Sequence, residues 1–342
     1  MRASDEGPRR PPTLEEVAAH AGVGRGTASR VVNGEAHVSE AAREAVLRAV
    51  DELGYVPNRA ARALVTRLTD SVALVVSESE ERFFGEPFFA GIVRSVSAAL
   101  AESGRQLFLS MATSEGSRRL LENHLTKQHV DGVMLLSTHG DDPLARHLEE
   151  RGLPTVLGGR PAGVDVQSYV DIDNVAGAEE AVRHLVAAGR RRIATITGPT
   201  DMMAGVGRLD GYRRALAEAD LPFEEDLVAR GDFSEASGGP AASALLDRRP
   251  DIDAIFAASD PMAYATLRVL AARGVRVPDD VAVVGFDDAP SSAHTVPLLT
   301  TVHQPVDEMG REMVRLLVAR IENRTVDQQV ILQPRLVVRE SA

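Results

Sequence analysis

Thr13-Leu14-Glu15-Glu16-Val17-Ala18, then Ala21-Gly22-Val23, then Arg25-Gly26-Thr27-Ala28-Ser29-Arg30-Val31-Val32 open the chain's readable structure. Thr13 with Glu16 three residues on is a capping box, in which each residue satisfies a backbone N–H of the other. The helix it opens runs to about Ala21, with Leu14, Val17, Ala18 and Ala21 at helical spacing. Gly22 supplies the backbone freedom of a tight turn. A second helix follows over Arg25 to Val32, with Val31 and Val32 as its apolar contacts and Gly34 as its stop. Two short helices joined by a turn of a few residues form a helix-turn-helix.

Ser39 is placed to cap a third helix over Glu40 to Leu53, ended by Gly54. Its expected inner stripe is Ala42, Val46, Leu47, Val50 and Leu53. Tyr55-Val56-Pro57-Asn58 then leads into Arg59-Ala60-Ala61-Arg62-Ala63-Leu64. This last segment is too short and too weakly apolar to hold a helix alone, so it reads as a linker that folds conditionally.

From Ser71 the pattern changes. Val72-Ala73-Leu74-Val75-Val76, 106–110, 132–136, 154–158, Ile193 to Thr197, Ala254 to Ala257 and Val281 to Val284 are short apolar runs. Longer amphipathic stretches separate them, the first over about 89–103. Continuously apolar strands alternating with helices imply parallel sheets covered on both faces. There are too many for one sheet of ordinary size. The expected fold class is an all-α helix-turn-helix head with a hinge helix, followed by an α/β core of two doubly wound parallel-sheet lobes. The expected divisions are a flexible arm at 1–12, the head at 13–56, hinge helix and linker at 57–69, and the core at 70–342. Lobe 1 is expected at about 70–172 and 302–330, and lobe 2 at about 173–301 and 331–340.

The bulk numbers permit this reading and exclude others. The 342 residues are 44% hydrophobic and 26% charged, enough for ordinary cores. There are no cysteines, so disulfides, thiol nucleophiles and Cys-ligated zinc are excluded. The net charge of −12 does not suggest a polyanion partner, yet residues 1–70 balance ten basic against ten acidic side chains. The opening MRASDEGPRRPP is polar, without the apolar centre of an export signal, and no run is long enough to span a bilayer. A cytoplasmic protein with no membrane contact is expected.

Ligands of open α/β sheets bind beyond the carboxyl ends of the strands. Here those ends carry Ser77 and Glu78, Ser137, Gly198, Ser259 and Asp260, and Asp287 and Asp288. Asp287, Asp260 and Arg208 can bond hydroxyls or ring heteroatoms while an aromatic ring stacks on the ligand. Asp260, directly before Pro261, suits a helix cap equally well. Asp287 has no helix immediately after it, which favours a ligand role. No catalytic constellation assembles: G-x-x-x-x-G-K-[ST], H-E-x-x-H and G-x-S-x-G are absent, and the nine histidines are scattered. No enzyme, cofactor or metal site is expected. A plain solute-binding protein would fit the core but not the head.

The chain resembles the LacI/GalR family of regulators over nearly its whole length. The head residues quoted above, with Asn33-Gly34, match that family's DNA-binding head, and Tyr55, Pro57, Asn58, Ala61, Arg62 and Leu64 match its hinge. In the core the matching pieces are Asp173-Asn174 with Gly177, Arg208-Leu209-x-Gly211-Tyr212, and Ser259-Asp260-x-Met262-Ala263. Val277-Pro278-Asp279-Asp280-Val281, Gly285-Phe286-Asp287-Asp288 and Leu299-Thr300-Thr301-Val302-His303-Gln304-Pro305 continue the match.

The resemblance implies a periplasmic-binding-protein-like core and a homodimer on a palindromic operator in double-stranded DNA. Bases would be read by Arg25, Gly26 and Arg30; Gly26 offers no side chain. Thr13, Thr27, Ser29, Asn33 and Tyr55 would hold phosphates. Asn58, Ala61 and Leu64 would act from the hinge, with Leu64 wedged into the minor groove. In the core it implies effector contacts at Arg208 and Asp287, a stacking ring at Phe233, and Phe83 or Phe84 closing the other side. Ser137, Ser259 and Asp260 join them from the strand ends. Leu157-Gly158-Gly159-Arg160 departs from relatives that place an Asp nearby, so one sugar contact of the family is missing; Arg160 either takes its place or faces an anionic ligand. The implied function is a repressor released from its operator by a small-molecule effector, a carbohydrate ahead of a purine or nucleoside, with a co-repressor as the alternative. Without a leucine-heptad tail after Ala342, a dimer is expected rather than a tetramer.

Overall fold

The computed structural model describes residues 10–33, 37–56, 68–111, 115–163 and 168–342. Gly34, residues 1–9 of the expected arm, and hinge residues 57–67 with Asn58, Ala61 and Leu64 lie outside these residues. The chain divides into two compact units, Met1–Thr69 and Asp70–Ala342.

In the first unit, α1 (Leu14–His20), α2 (Arg25–Val32) and α3 (Glu40–Leu53) pack on one another. The capping box forms: the Thr13 side chain accepts from the Glu16 N–H at 3.3 Å and Glu16 Oε2 accepts from the Thr13 N–H at 2.7 Å. Gly22 turns the chain at φ 67° and Gly54 ends α3 at φ 62°. Ser39 occupies the N-cap position of α3, but its side chain makes no capping bond. Val17, Ala18, Ala28, Val31, Val46 and Ala49 form the core. Leu47, expected inside, is 52% exposed. The inner stripe instead follows 46, 49, 50 and 53, and Leu47 lies about 100° round the helix from Val46.

The second unit begins with β1 (Ser71–Val76), α4 (Glu80–Gly85), α5 (Pro87–Glu102), β2 (Gln106–Met111) and α6 (Glu115–His124). Next come β3 (Gly132–Leu136), α7 (Leu144–Glu150), β4 (Thr155–Gly158), β5 (Tyr169–Ile172) and α8 (Asn174–Ala187). Then follow β6 (Ile193–Thr197), α9 (Met203–Glu218), β7 (Val228–Arg230), α10 (Glu235–Arg248), β8 (Ala254–Ala257) and α11 (Asp260–Ala272). The chain closes with β9 (Ala282–Asp287), β10 (Thr300–His303), α12 (Val306–Ile321), β11 (Gln329–Leu332) and β12 (Arg335–Val337).

Two six-stranded sheets result, ordered β11-β5-β4-β3-β1-β2 and β12-β10-β9-β8-β6-β7. Their pairings are parallel except β12, which runs antiparallel to β10 at the edge of the second sheet. Val72 to Val76 are fully buried, as a strand covered on both faces requires. The chain crosses between lobes after β5, after β10 and after β11. The expected boundaries at 301/302 and 330/331 therefore fall inside strands. All four residues of β10 pair with β9, from Thr300 opposite Val284 to His303 opposite Asp287. Crossing waits for Gln304-Pro305, and later for Gln333-Pro334, where proline has no N–H to continue a ladder.

Helices α8 and α9 pack closely in lobe 2. A Cβ on Gly211 would sit 2.3 Å from the Val175 carbonyl oxygen and 2.8 Å from Ala178 Cβ. Gly211→Ala must push the helices apart and is expected to cost ~1–3 kcal/mol of stability, as overpacking does, read by urea unfolding of the full chain. Unfolding at the wild-type midpoint would refute that close approach.

Candidate functional site

The head presents α2 outward. Arg25, Gly26 and Arg30 are exposed, while Thr27 and Ser29 are half-buried. The Arg25 guanidinium reaches Glu15 of α1 at 2.9 Å, and Arg30 Nε donates to the Gly26 carbonyl at 3.2 Å. A Cβ on Gly26 would meet nothing within 4 Å, so packing does not demand glycine there. Asn33 Nδ2 donates to Ser29 Oγ at 3.4 Å, and Tyr55 is half-buried against the head's core. The α2 face thus carries two arginines on a helix supported from behind by α1 and α3.

In the second unit a cavity between the lobes encloses about 740 Å³, its open mouth included. From lobe 2, Arg208 on α9 lies buried in its wall. Its Nε donates to Asn174 Oδ1 at 2.9 Å, its Nη1 donates to the Ala258 carbonyl at 2.5 Å, and Asp287 Oδ1 stands 3.5 Å away. The guanidinium lies over the Phe286 ring at 3.7 Å and the Phe233 ring at 5.1 Å. Burial pulls the Arg208 pKa down, opposed by Asp287. Burial pushes the Asp287 carboxyl up, opposed by Arg208. Gln304 Nε2 donates to Asp287 Oδ1 at 2.5 Å.

Lobe 1 supplies Arg82, Glu86, Phe88, Phe89, Ser137, Arg160 and Asp171 to the same cavity. Arg82 donates from Nε to Glu86 Oε1 at 2.8 Å and pairs with Glu78 at 2.7 Å. Burial raises the Glu86 and Asp171 carboxyls above the ordinary range. Ser137, Phe233 and Asp287 hold positive φ of 61°, 74° and 130°. Strained backbone of this kind concentrates where a site dictates side-chain direction. A Cβ on Gly198 would lie 2.1 Å from the Phe233 ring, so that glycine makes room for the ring.

Of the residues expected from sequence, Ser137, Arg160, Arg208, Phe233, Ser259 and Asp287 line one cavity. Three do not. Phe83 is buried in the lobe 1 core, and Phe84 is 75% exposed, edge-on to Phe83. The rings that reach the cavity are Phe88 and Phe89, in the first turn of α5. Asp260 lies outside the wall. It accepts from the Ala289 N–H at 2.9 Å and from the Ser292 and Thr301 hydroxyls at 2.5 Å each, tying β10 to the segment after β9. The helix cap is Ser259, whose Oγ accepts from the Met262 N–H. Reading the chain alone missed Arg82, Glu86, Asp171 and Gln304. Pro87 marks the start of the helix that carries Phe88 and Phe89, but no local signal turns their rings to the cavity.

Opposite lobes also meet at His139. Its Nε2 contacts Glu78 Oε1 at 3.1 Å and its Nδ1 contacts Asp201 Oδ2, in the other lobe, at 3.0 Å. The Gly140 N–H donates to the Asp201 carbonyl at 2.8 Å, and Arg82 and Ser137 share Glu78 with the imidazole. Glu78 first, then Asp201, raise the His139 pKa above its ordinary 6.5. A raised histidine contributes its stability fully below the unfolded pKa and loses it as pH rises through the folded one. Thermal melts should therefore show wild type losing its advantage over His139→Gln as pH rises from 6.5 through that raised value. Parallel melting curves across that range would refute the bridge.

Among the described residues no cluster of His, Asp and Glu could hold a metal ion, and no helix is long and apolar enough to cross a membrane.

The sequence profile of bacterial regulatory proteins of the lacI family matches residues 13–58, and that of the periplasmic binding protein-like domain matches residues 182–342. HTH-type transcriptional regulator CelR of Thermobifida fusca is 58% identical over 336 residues, 97% of this chain and 99% of the relative. HTH-type transcriptional repressor PurR of Salmonella paratyphi B is 35% identical over 334 residues, 96% of each chain. Among solved structures, a transcriptional regulator CelR–cellobiose complex is 55% identical, covering 97% of this chain and 100% of that one with a TM-score of 0.78. The lac repressor dimer bound to operator and the anti-inducer ONPF is 27% identical, covering 97% and 99%, with a TM-score of 0.85. A head with two outward arginines on its second helix, a two-lobed core closing on a polar cavity, and this full-length likeness place the chain in the LacI family of DNA-binding transcriptional regulators.

Proposed function

We propose that this regulator is a repressor that holds a palindromic operator as a homodimer and releases it when a neutral sugar enters the cleft between its lobes. Arg25 and Arg30 read bases, Thr13, Thr27, Ser29, Asn33 and Tyr55 hold phosphates, and Asn58, Ala61 and Leu64 act from the hinge. The observation that carries the sugar reading is the cavity wall itself. Phe233 lines it with an aromatic ring, while Arg208, Asp287, Asn174 and Gln304 offer donors and acceptors side by side. Vicinal hydroxyls, each donor and acceptor at once, match such a wall. A purine or nucleoside shares the stacking demand but brings fewer hydroxyls. The relative solved with cellobiose supports the sugar, and the lac repressor solved as a dimer on operator supports the assembly.

By linkage, a sugar that weakens operator binding is itself weakened by operator to the same degree. The test is selection of sheared genomic DNA by the purified protein at two salt concentrations, followed by cellobiose titration of the selected complex. One palindromic motif that survives higher salt, released by cellobiose, is expected. Diffuse, salt-sensitive capture would mean backbone attraction alone and defeat the operator reading. Tighter binding with cellobiose would make the sugar a co-repressor, and no effect together with no binding would remove it as effector.

A further inference from the structure

Asp260, Asp287 and Asp171 differ in what is left for a ligand. Asp260 is closed off by three donors and lies outside the wall. Asp287 takes the Gln304 amide and faces Arg208. Asp171, near the end of β5 where the chain leaves lobe 1, is 9% exposed and lines the cavity. Backbone N–H groups of Ile172 and Arg160 favour its charged form. Its side-chain partners stand off: Asn174 Nδ2 at 3.4 Å and Arg160 Nε at 3.7 Å. Charge-assisted bonds to a buried carboxylate are ordinarily ~2.7–2.9 Å, and a carboxylate has about four acceptor sites. Asp171 therefore keeps accepting capacity at the cavity.

The wall is also balanced in charge. Arg82 is paired by Glu78 and Glu86, Arg160 by Asp171, and Arg208 by Asp287. Polar groups run from Asp287 through Arg208, Asn174 and Asp171 to Arg160, crossing from lobe 2 to lobe 1. An anion entering this line finds Arg82 and Arg208 already engaged and the charge of Arg160 offset by Asp171 at 3.7 Å, and it faces the carboxylates of Glu86, Asp171 and Asp287. A neutral polyol donates its hydroxyl protons to those carboxylates and accepts from the guanidinium groups.

We propose that Asp171 is a specificity-determining residue, accepting hydroxyls of a neutral sugar and, by balancing the charge of Arg160, excluding anionic sugars. This rests on the sugar reading above. The test is calorimetric titration of the full chain with cellobiose and with cellobionate, the same disaccharide carrying a carboxylate at its oxidised end. Asp171→Asn keeps the shape, removes the charge and frees Arg160. Its cellobiose affinity should fall about 10- to 100-fold, the worth of a charged hydrogen bond. Its cellobionate affinity should rise relative to wild type. Arg160→Gln, at a half-exposed position safe for folding, should cancel that rise in the double variant. Asp171→Asn that binds both sugars in the wild-type ratio, or weakens both equally, overturns the proposal: the carboxylate would then be structural. Wild type that takes up no cellobiose at all would instead bring down the sugar reading, and this proposal with it.

Discussion

Replacing Arg208 by Met is expected to leave a regulator that still holds its operator but no longer answers its ligand. Arg208 is buried, bonded to Asn174 and the Ala258 carbonyl, set against Asp287, and laid over two aromatic rings. Methionine fills part of the volume but donates nothing. Asp287 then loses the cation that offsets its burial, and breaking one side of a buried pair costs ~3–5 kcal/mol. The ligand loses a fixed fork of N–H donors, which Lys would not restore because its ammonium cannot reproduce that planar geometry. Two readouts separate these effects. Urea unfolding should fall markedly for Arg208→Met and recover in part when Asp287→Asn is added, because the orphaned charge is gone. Cellobiose titration and operator release should stay abolished in both variants. Release by cellobiose within threefold of wild type would show that Arg208 does not touch the ligand.

The second large effect is expected at Arg25. Its side chain is 72% exposed at the start of α2 and pairs with Glu15 at 2.9 Å. Exposed ion pairs of this kind contribute ~0–1 kcal/mol, so Arg25→Ala should melt close to wild type. Operator binding is another matter. An arginine reading guanine discriminates by ~1–3 kcal/mol, and a dimer on a palindrome makes that bidentate pair twice. Selected DNA should lose its preference at one base pair in each half-site, while binding to unrelated duplex falls less. The slope of log affinity against log salt changes by about one for each phosphate that is no longer neutralised, so removing a base reader leaves it nearly constant. A variant that selects the wild-type motif would move base reading away from Arg25. Glu15→Gln, which frees the guanidinium, should not weaken operator binding.

Features that depend on neighbours in the chain were legible before any fold was known. The Thr13–Glu16 box, the turn at Gly22 and the end of α3 at Gly54 follow from capping and glycine's backbone freedom, which act within a few residues. The continuously apolar runs that became β1, β3, β6 and β9 signalled covered parallel strands. The strands that escaped notice, β5, β7, β10, β11 and β12, are three or four residues long. They exist because a partner lies beside them, as His303 lies beside Asp287 and Gln329 beside Tyr169. Arg208, Phe233 and Asp287 could be named from the chain, but not how they meet. Packing in three dimensions chose between two pairs of phenylalanines five residues apart, placing Phe83 in a core and Phe88 on the cavity. It also separated Asp260, sealed behind the wall by Thr301 and Ser292, from Asp171, open to the ligand. Both are aspartates at strand ends. Which side of a wall a carboxylate faces depends on groups that are remote in sequence, and burial and accepting capacity are set there.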